Sequence, residues 1–198
     1  MKIGDRMKPV IPPMEPGTYM GVCIGVVDIG EQTSTFNNTT KTSEKIMFVI
    51  EFPSEKIEVD GEQKPRQLSK DFTRTSDDRG ALKALITGWT GKTFTQSELE
   101  EFDVFDLILH PCMVTVSLSS NGNYANISSI VQFPKGFPAP QTETQPYTYD
   151  LDNWNDEQFA ALPEWIQNKI KKSTQYQKFH APETVIEVKP QGEEAAPF

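Results

Sequence analysis

With 198 residues and 36% hydrophobic content, the chain can bury a core but cannot fill two large domains. Residues 1–133 carry 13 Lys/Arg against 18 Asp/Glu (net −5) and residues 134–198 carry 6 against 10 (net −4), which gives the overall −9. No segment therefore attracts a polyanion by bulk charge, and any such binding must come from a local stripe of cations. Two cysteines and two histidines exclude a Cys-rich zinc site, and no run reaches the ~18 apolar residues of a membrane helix.

Residues 1–16 are charged and broken by proline, so they read as an N-terminal extension rather than a secretion signal, and the expected compartment is the cytoplasm. "GTYMGVCIGVVDIGEQ" (17–32) alternates and is rich in β-branched residues, the pattern of a long strand. Gly21 and Gly25 inside it predict a bulge or a tight bend. A polar loop follows, then a strand at "KIMFVIEF" (45–52) and an Asp-Gly turn within "VDGEQKP". "PRQLSKDFTRTS" (65–76) predicts a third strand.

The period then changes. Apolar residues at 81, 82, 85, 86 and 89 predict a helix, and Thr95 with Glu98 three residues later is a capping box for a second, short one. "PCMVTVSLS" (111–119) and "YANISSIVQF" (124–133) predict two strands joined by a tight "SNGN" turn. Three strands, a helical insertion and two strands is the order of a five-stranded OB-fold barrel, with an SH3-like barrel as its nearest competitor. Residues 17–133 thus form the expected barrel domain. Proline-rich residues 134–150 read as a linker, and residues 151–179 as helices started by Asn155 and split at Pro163. The acidic remainder, 180–198, is expected to be disordered.

Chemistry is scarce along the chain. "GWTGKT" (88–93) lacks two residues of a phosphate-binding loop and follows a helix rather than a strand. Cys112 neighbours His110, but it opens an apolar strand, so both it and Cys23 are expected to be buried thiols rather than a nucleophile or a disulfide. The acids of "ELEEFDVFD" have the spacing of a solvated helix face. No catalytic constellation, metal site or cofactor site is expected.

The third strand is the most informative. Leu68, Lys70, Phe72 and Arg74 alternate onto one face, two of them cations flanking a ring. Such a face suits single-stranded nucleic acid, with bases stacking on Phe72 and phosphates tracked by Lys70 and Arg74. The other reading makes Phe72 core with the cations snorkelling around it. Lys45 at the start of strand two, Phe36 and Lys41 in the loop after strand one, and Tyr19 and Tyr124 on strand faces expected to be polar complete the candidate set.

The chain closes on "QGEEAAPF". An OB-like domain, a flexible segment and an acidic tip ending in Pro-Phe resemble the bacterial single-stranded DNA-binding proteins, through Glu193, Glu194, Pro197 and Phe198. The order "GTYMGVCIGVVDIGEQ…KIMFVIEF…KDFTRTS…LKALITGWTGKTFT…ELEEFDVFDL" also resembles a family of tailed-phage single-stranded DNA-binding proteins of the OB type. The tip departs from the bacterial pattern, because alanines stand in place of further acids and of the isoleucine before Pro-Phe. The resemblance implies a non-enzymatic protein that coats single-stranded DNA without sequence preference during phage replication or recombination, in the bacterial cytoplasm. It also implies that the tip recruits replication or recombination partners by inserting Phe198 into an apolar pocket. The competing expectation is a structural or adaptor protein whose barrel binds protein instead of DNA.

Overall fold

A computed structural model describes residues 11–77 and 80–180. Six strands form one sheet: β1 (Gly17–Phe36), β2 (Thr39–Val59), β3 (Glu62–Thr73), β4 (Pro111–Leu118), β5 (Ala125–Gln132) and β6 (Tyr147–Tyr149). The order is β3-β2-β1-β4-β5, with every neighbouring pair antiparallel, and β6 runs parallel to β1. Two helices, α1 (Ala81–Thr90) and α2 (Gln96–Glu100), lie between β3 and β4, and α3 (Asp156–Ala161), α4 (Glu164–Ile170) and α5 (Thr174–Phe179) follow β6.

The sheet curls but does not close, since β3 and β5 share no backbone ladder. A side chain spans that gap instead: Lys70 Nζ donates to Ile127 O (2.8 Å) and Ser128 O (3.3 Å) on β5. The expected five-stranded barrel is thus an open sheet with a sixth strand added.

Alternation on β2 divides the molecule into two apolar layers. Ile46, Phe48, Ile50 and Phe52 enter the inner core with α1, while Met47 and Val49 enter an outer core with the C-terminal helices. On α1, Leu82, Leu85, Ile86 and Trp89 repeat at helical spacing and fill the concave side. The Trp89 indole packs edge-on to Phe48 at 5.9 Å and donates to Pro111 O, so this ring is core. Thr95 and Glu98 form the capping box their spacing predicts, Asn155 caps α3, and Pro163 separates α3 from α4.

β1 carries register shifts between Cys23 and Gly25 and between Asp28 and Gly30. The second is fixed by chemistry: Gly30 has φ +67°, and its N–H donates to the Asp28 carboxylate at 2.8 Å. A Cβ at Gly30 would lie 2.7 Å from Leu151 and 2.8 Å from Gln175, so the close seating of the C-terminal segment requires glycine there.

Two stretches differ from expectation. The polar loop after strand one is a paired ribbon, in which β1 and β2 continue through residues 33–42 and turn at Asn37 and Asn38, both with positive φ. Its strands are threonine-rich and exposed on both faces, so they show no apolar alternation although threonine favours extended backbone. Cross-strand Thr33–Thr42 and Thr35–Thr40 hydroxyl pairs at 3.0 and 3.1 Å replace apolar contacts.

The expected linker 134–150 contains β6 and is tied to the sheet. Fully buried Glu51 accepts from Thr142 Oγ1 (2.9 Å), Glu143 N (2.7 Å) and Thr144 N (3.1 Å). The helices beyond it bury Phe159, Leu162, Ile166 and Ile170 against β1 and β2. The extension is likewise engaged near its end, where Met14 is in the inner core and Pro12 O accepts from Arg66.

Candidate nucleic-acid interface

The alternating face of β3 is the inner one. Leu68 packs against the inner core and Phe72 is within it, 8% exposed, edge-on to Phe48 at 5.8 Å. Phe72 is therefore not a stacking platform for bases, which corrects that expectation. A period of two identifies two faces but not which of them is covered, and here the face with the large apolar groups is the packed one.

The two cations snorkel around that face. Lys70 lies 5.5 Å over the Phe72 ring while its ammonium bonds to β5 carbonyls, so it joins the sheet's two edges. Arg74 pairs with Asp28 (3.1 Å) and Asp152 (3.2 Å). Neither cation presents an open row to a phosphate backbone.

Tyr19 also differs from expectation. Its ring packs edge-on to Phe52 at 6.1 Å and its hydroxyl donates to Glu15 O, so it is half-buried against the edge of the inner core rather than on a polar face. Tyr124 is exposed, as expected, at 68%. It lies beyond the β4–β5 turn, however, and the pairing of Gly17 with Val116 puts that turn at the start of β1. Phe36 and Lys41 are at the opposite end of β1, so the structure does not bring Tyr124 together with them. Of Phe36 only its backbone position at the end of β1 is described. The tip residues Glu193, Glu194, Pro197 and Phe198 lie outside the described residues.

Lys41, Lys45 and Met47 fall at even spacings, four and two residues apart, on a regular stretch of β2, which puts them on its outer face. Lys45 Nζ donates to Thr73 on β3 at 2.8 Å. The end of α4 brings a third lysine to this face: Lys169 Nζ pairs with Asp71 of β3 at 2.5 Å and lies 3.8 Å from Met47 Sδ. The carbonyl of Lys169 accepts from Gln32 of β1, which anchors the helix end to the ribbon stem. Lys172 is exposed just beyond, next to the segment in which Thr174 donates to Glu31. Sequence reasoning missed Lys169 and Lys172. Their signal was the lysine cluster in "NKIKKS", but nothing local shows that this helix returns to the β1–β2 ribbon.

On the inner side a different chemistry assembles. A cleft of about 790 Å³ opens between β1, β2, the end of β3, α1 and the segment after α2. Carboxylates from Asp28, Glu44, Glu100, Asp103, Asp150 and Asp152 line it, with Arg74 among them. Asp28, Asp150 and Asp152 offer oxygens within 4.8 Å of one another, a spacing that can hold a cation, and Arg74 already bridges two of them. Burial pushes the Asp28 carboxyl above the usual aspartate range, against the Gly30 N–H and Arg74, which favour its charge. Asp28 is far in sequence from Asp150 and Asp152, and only the seating of the C-terminal segment brings it to them.

Both cysteines are free and fully buried, and burial pushes the Cys23 thiol up to about 12 and raises Cys112 as well. No helix among the described residues is long and apolar enough to cross a membrane. Comparison with known proteins finds no match: no protein-family model, no curated protein and no solved structure pairs with this chain.

Proposed function

We propose that this chain is a single-stranded DNA-binding protein of the OB type, which coats exposed strands without reading their sequence. The observation that carries this reading is the connectivity. β1 pairs with both β2 and β4, α1 separates β3 from β4, and β3 and β5 meet at the curled edge through Lys70. That is the strand order of an OB barrel, a fold used widely for single strands.

The strand crosses the outer face at the stem of the β1–β2 ribbon. Lys41, Lys45 and Lys172 follow its phosphates, Lys169 stays paired with Asp71 and anchors the helix end there, and the threonine hydroxyls of the ribbon supply neutral hydrogen-bonding groups. Contacts of this kind depend on backbone charge and not on base edges, so affinity is independent of sequence and falls with salt. Binding takes place in the cytoplasm of a bacterial host, during phage replication or recombination. Glu193, Glu194, Pro197 and Phe198 recruit partner proteins, with the Phe198 ring as the buried anchor.

The test is a fluorescence titration with oligo(dT) at two salt concentrations. Log K falls with log salt at about −0.7 per phosphate neutralised, and a slope on the order of three phosphates is expected. Absence of binding, or binding that ignores salt, overturns the reading. The adaptor alternative draws on one observation, the acidic cleft, whose lining repels phosphate.

A further inference from the structure

The cleft on the inner side has two properties that a nucleic-acid surface lacks. Part of its floor is apolar: Ile86 and Leu99 are buried there, and Phe102, Val104 and Phe105 are half-buried among the lining residues and pack against the inner core. Its rim is anionic, with six carboxylates against the single guanidinium of Arg74. A volume of about 790 Å³ holds several side chains at once, far more than a lone ion needs.

We propose that this cleft docks a cationic amphipathic segment of a partner protein. The segment's apolar side chains fill the Leu99–Phe102–Phe105 floor, and its Lys or Arg side chains meet the rim. Charge complementarity selects this occupant: the rim excludes phosphates and acidic peptides, and the floor favours an amphipathic chain over a small hydrophilic amine. Arg74 shows how the rim holds a guanidinium, since one NH1 reaches both Asp28 and Asp152 at 3.1 and 3.2 Å. Glu44, Glu100 and Asp103 remain around the opening for further cations. The proposal does not depend on DNA binding, because Lys41 and Lys45 occupy the other face of β2.

The probe is a fluorescein-labelled amphipathic Leu/Lys peptide, followed by anisotropy against the full chain. Glu44 and Glu100 are exposed and neither caps a helix, so the double reversal E44K/E100K removes rim charge without removing core. Glu58 and Glu62, exposed at the β2–β3 turn away from the cleft, give a control, E58K/E62K, with the same change in net charge. The cleft variant is expected to bind the peptide on the order of tenfold more weakly, the control to bind as wild type does, and a Ser/Lys peptide of equal charge to bind poorly. If the reversal lowers the melting temperature, E44Q/E100Q tests the same rim with less perturbation and is expected to weaken binding in the same direction. Equal loss in cleft and control variants, equal binding of the Ser/Lys peptide, or no binding to wild type overturns the proposal.

Discussion

Phe72→Ala separates the two roles that an aromatic flanked by cations can have. In the structure the ring is 8% exposed and packs on Phe48, which in turn packs on Trp89. Truncation removes a buried ring and leaves a cavity beside Phe48, and changes of this kind cost ~3–5 kcal/mol. Total stability for a domain is about 5–15 kcal/mol, so the loss is a large fraction of it. At roughly 2–4 °C per kcal/mol for a chain of this size, the melting temperature falls by on the order of 10 °C. Thermal melting followed by circular dichroism, with a urea titration to check that the slope is unchanged, measures this directly. Oligo(dT) affinity, taken well below the lowered melting point, is expected to stay within about twofold of wild type, where a stacked ring would cost about 1–3 kcal/mol of binding. A variant that melts like wild type but has lost affinity would refute the placement of Phe72 in the core.

Other perturbations test other contacts. Lys70→Met keeps the aliphatic stem but removes the donor to Ile127 O and Ser128 O, and is expected to cost about 1–3 kcal/mol in urea unfolding and to loosen the β3–β5 edge in hydrogen exchange. Glu51→Ala orphans the N–H groups of Glu143 and Thr144, at ~1–3 kcal/mol each, and is expected to open residues 134–146 to limited proteolysis while Glu51→Gln does so less. Asp28 has a raised carboxyl pKa from burial, so its folded form favours the proton. Its contribution is full below the ordinary aspartate range and is lost as pH rises through the raised value. Wild type is therefore expected to gain stability relative to Asp28→Asn as pH falls from neutral into that window, and a flat difference curve refutes this. Cys23 and Cys112 are expected to react with a thiol reagent only after denaturation, and rapid native-state labelling would contradict their burial.

The order of elements was legible because each carries a local signature. The Thr95–Glu98 box, the Asp60-Gly61 turn and the 81–89 helical period all have their cause within a few residues, and each forms where expected. What depends on distant packing was not legible. The β3 stripe has the right period, but which face is covered is decided by α1 and β5, remote in sequence. β6 has three residues in a proline-rich context, and it is held by the approach of the Tyr147 ring to Gly25, where a Cβ would come within 2.7 Å. Lys169, Lys172, Asp150 and Asp152 reach their sites, the last two beside Asp28, only because the C-terminal helices bury an apolar face on β1 and β2. Of the candidate residues, Lys41 and Lys45 share the outer face of β2, Lys45 with a bond to Thr73, whereas Phe72 packs in the core, Tyr19 is half-buried at its edge, and Lys70 and Arg74 are held by β5 carbonyls and by carboxylates.

The most direct test of single-strand binding on this face compares salt slopes. Wild type and the double variant K41A/K45A are titrated with oligo(dT) across a range of salt. If both lysines neutralise phosphates, the variant binds more weakly and the slope of log K against log salt becomes shallower by about 1.4, at ~0.7 per phosphate. Identical slopes and affinities, or a wild-type protein that does not bind oligo(dT), would contradict the account.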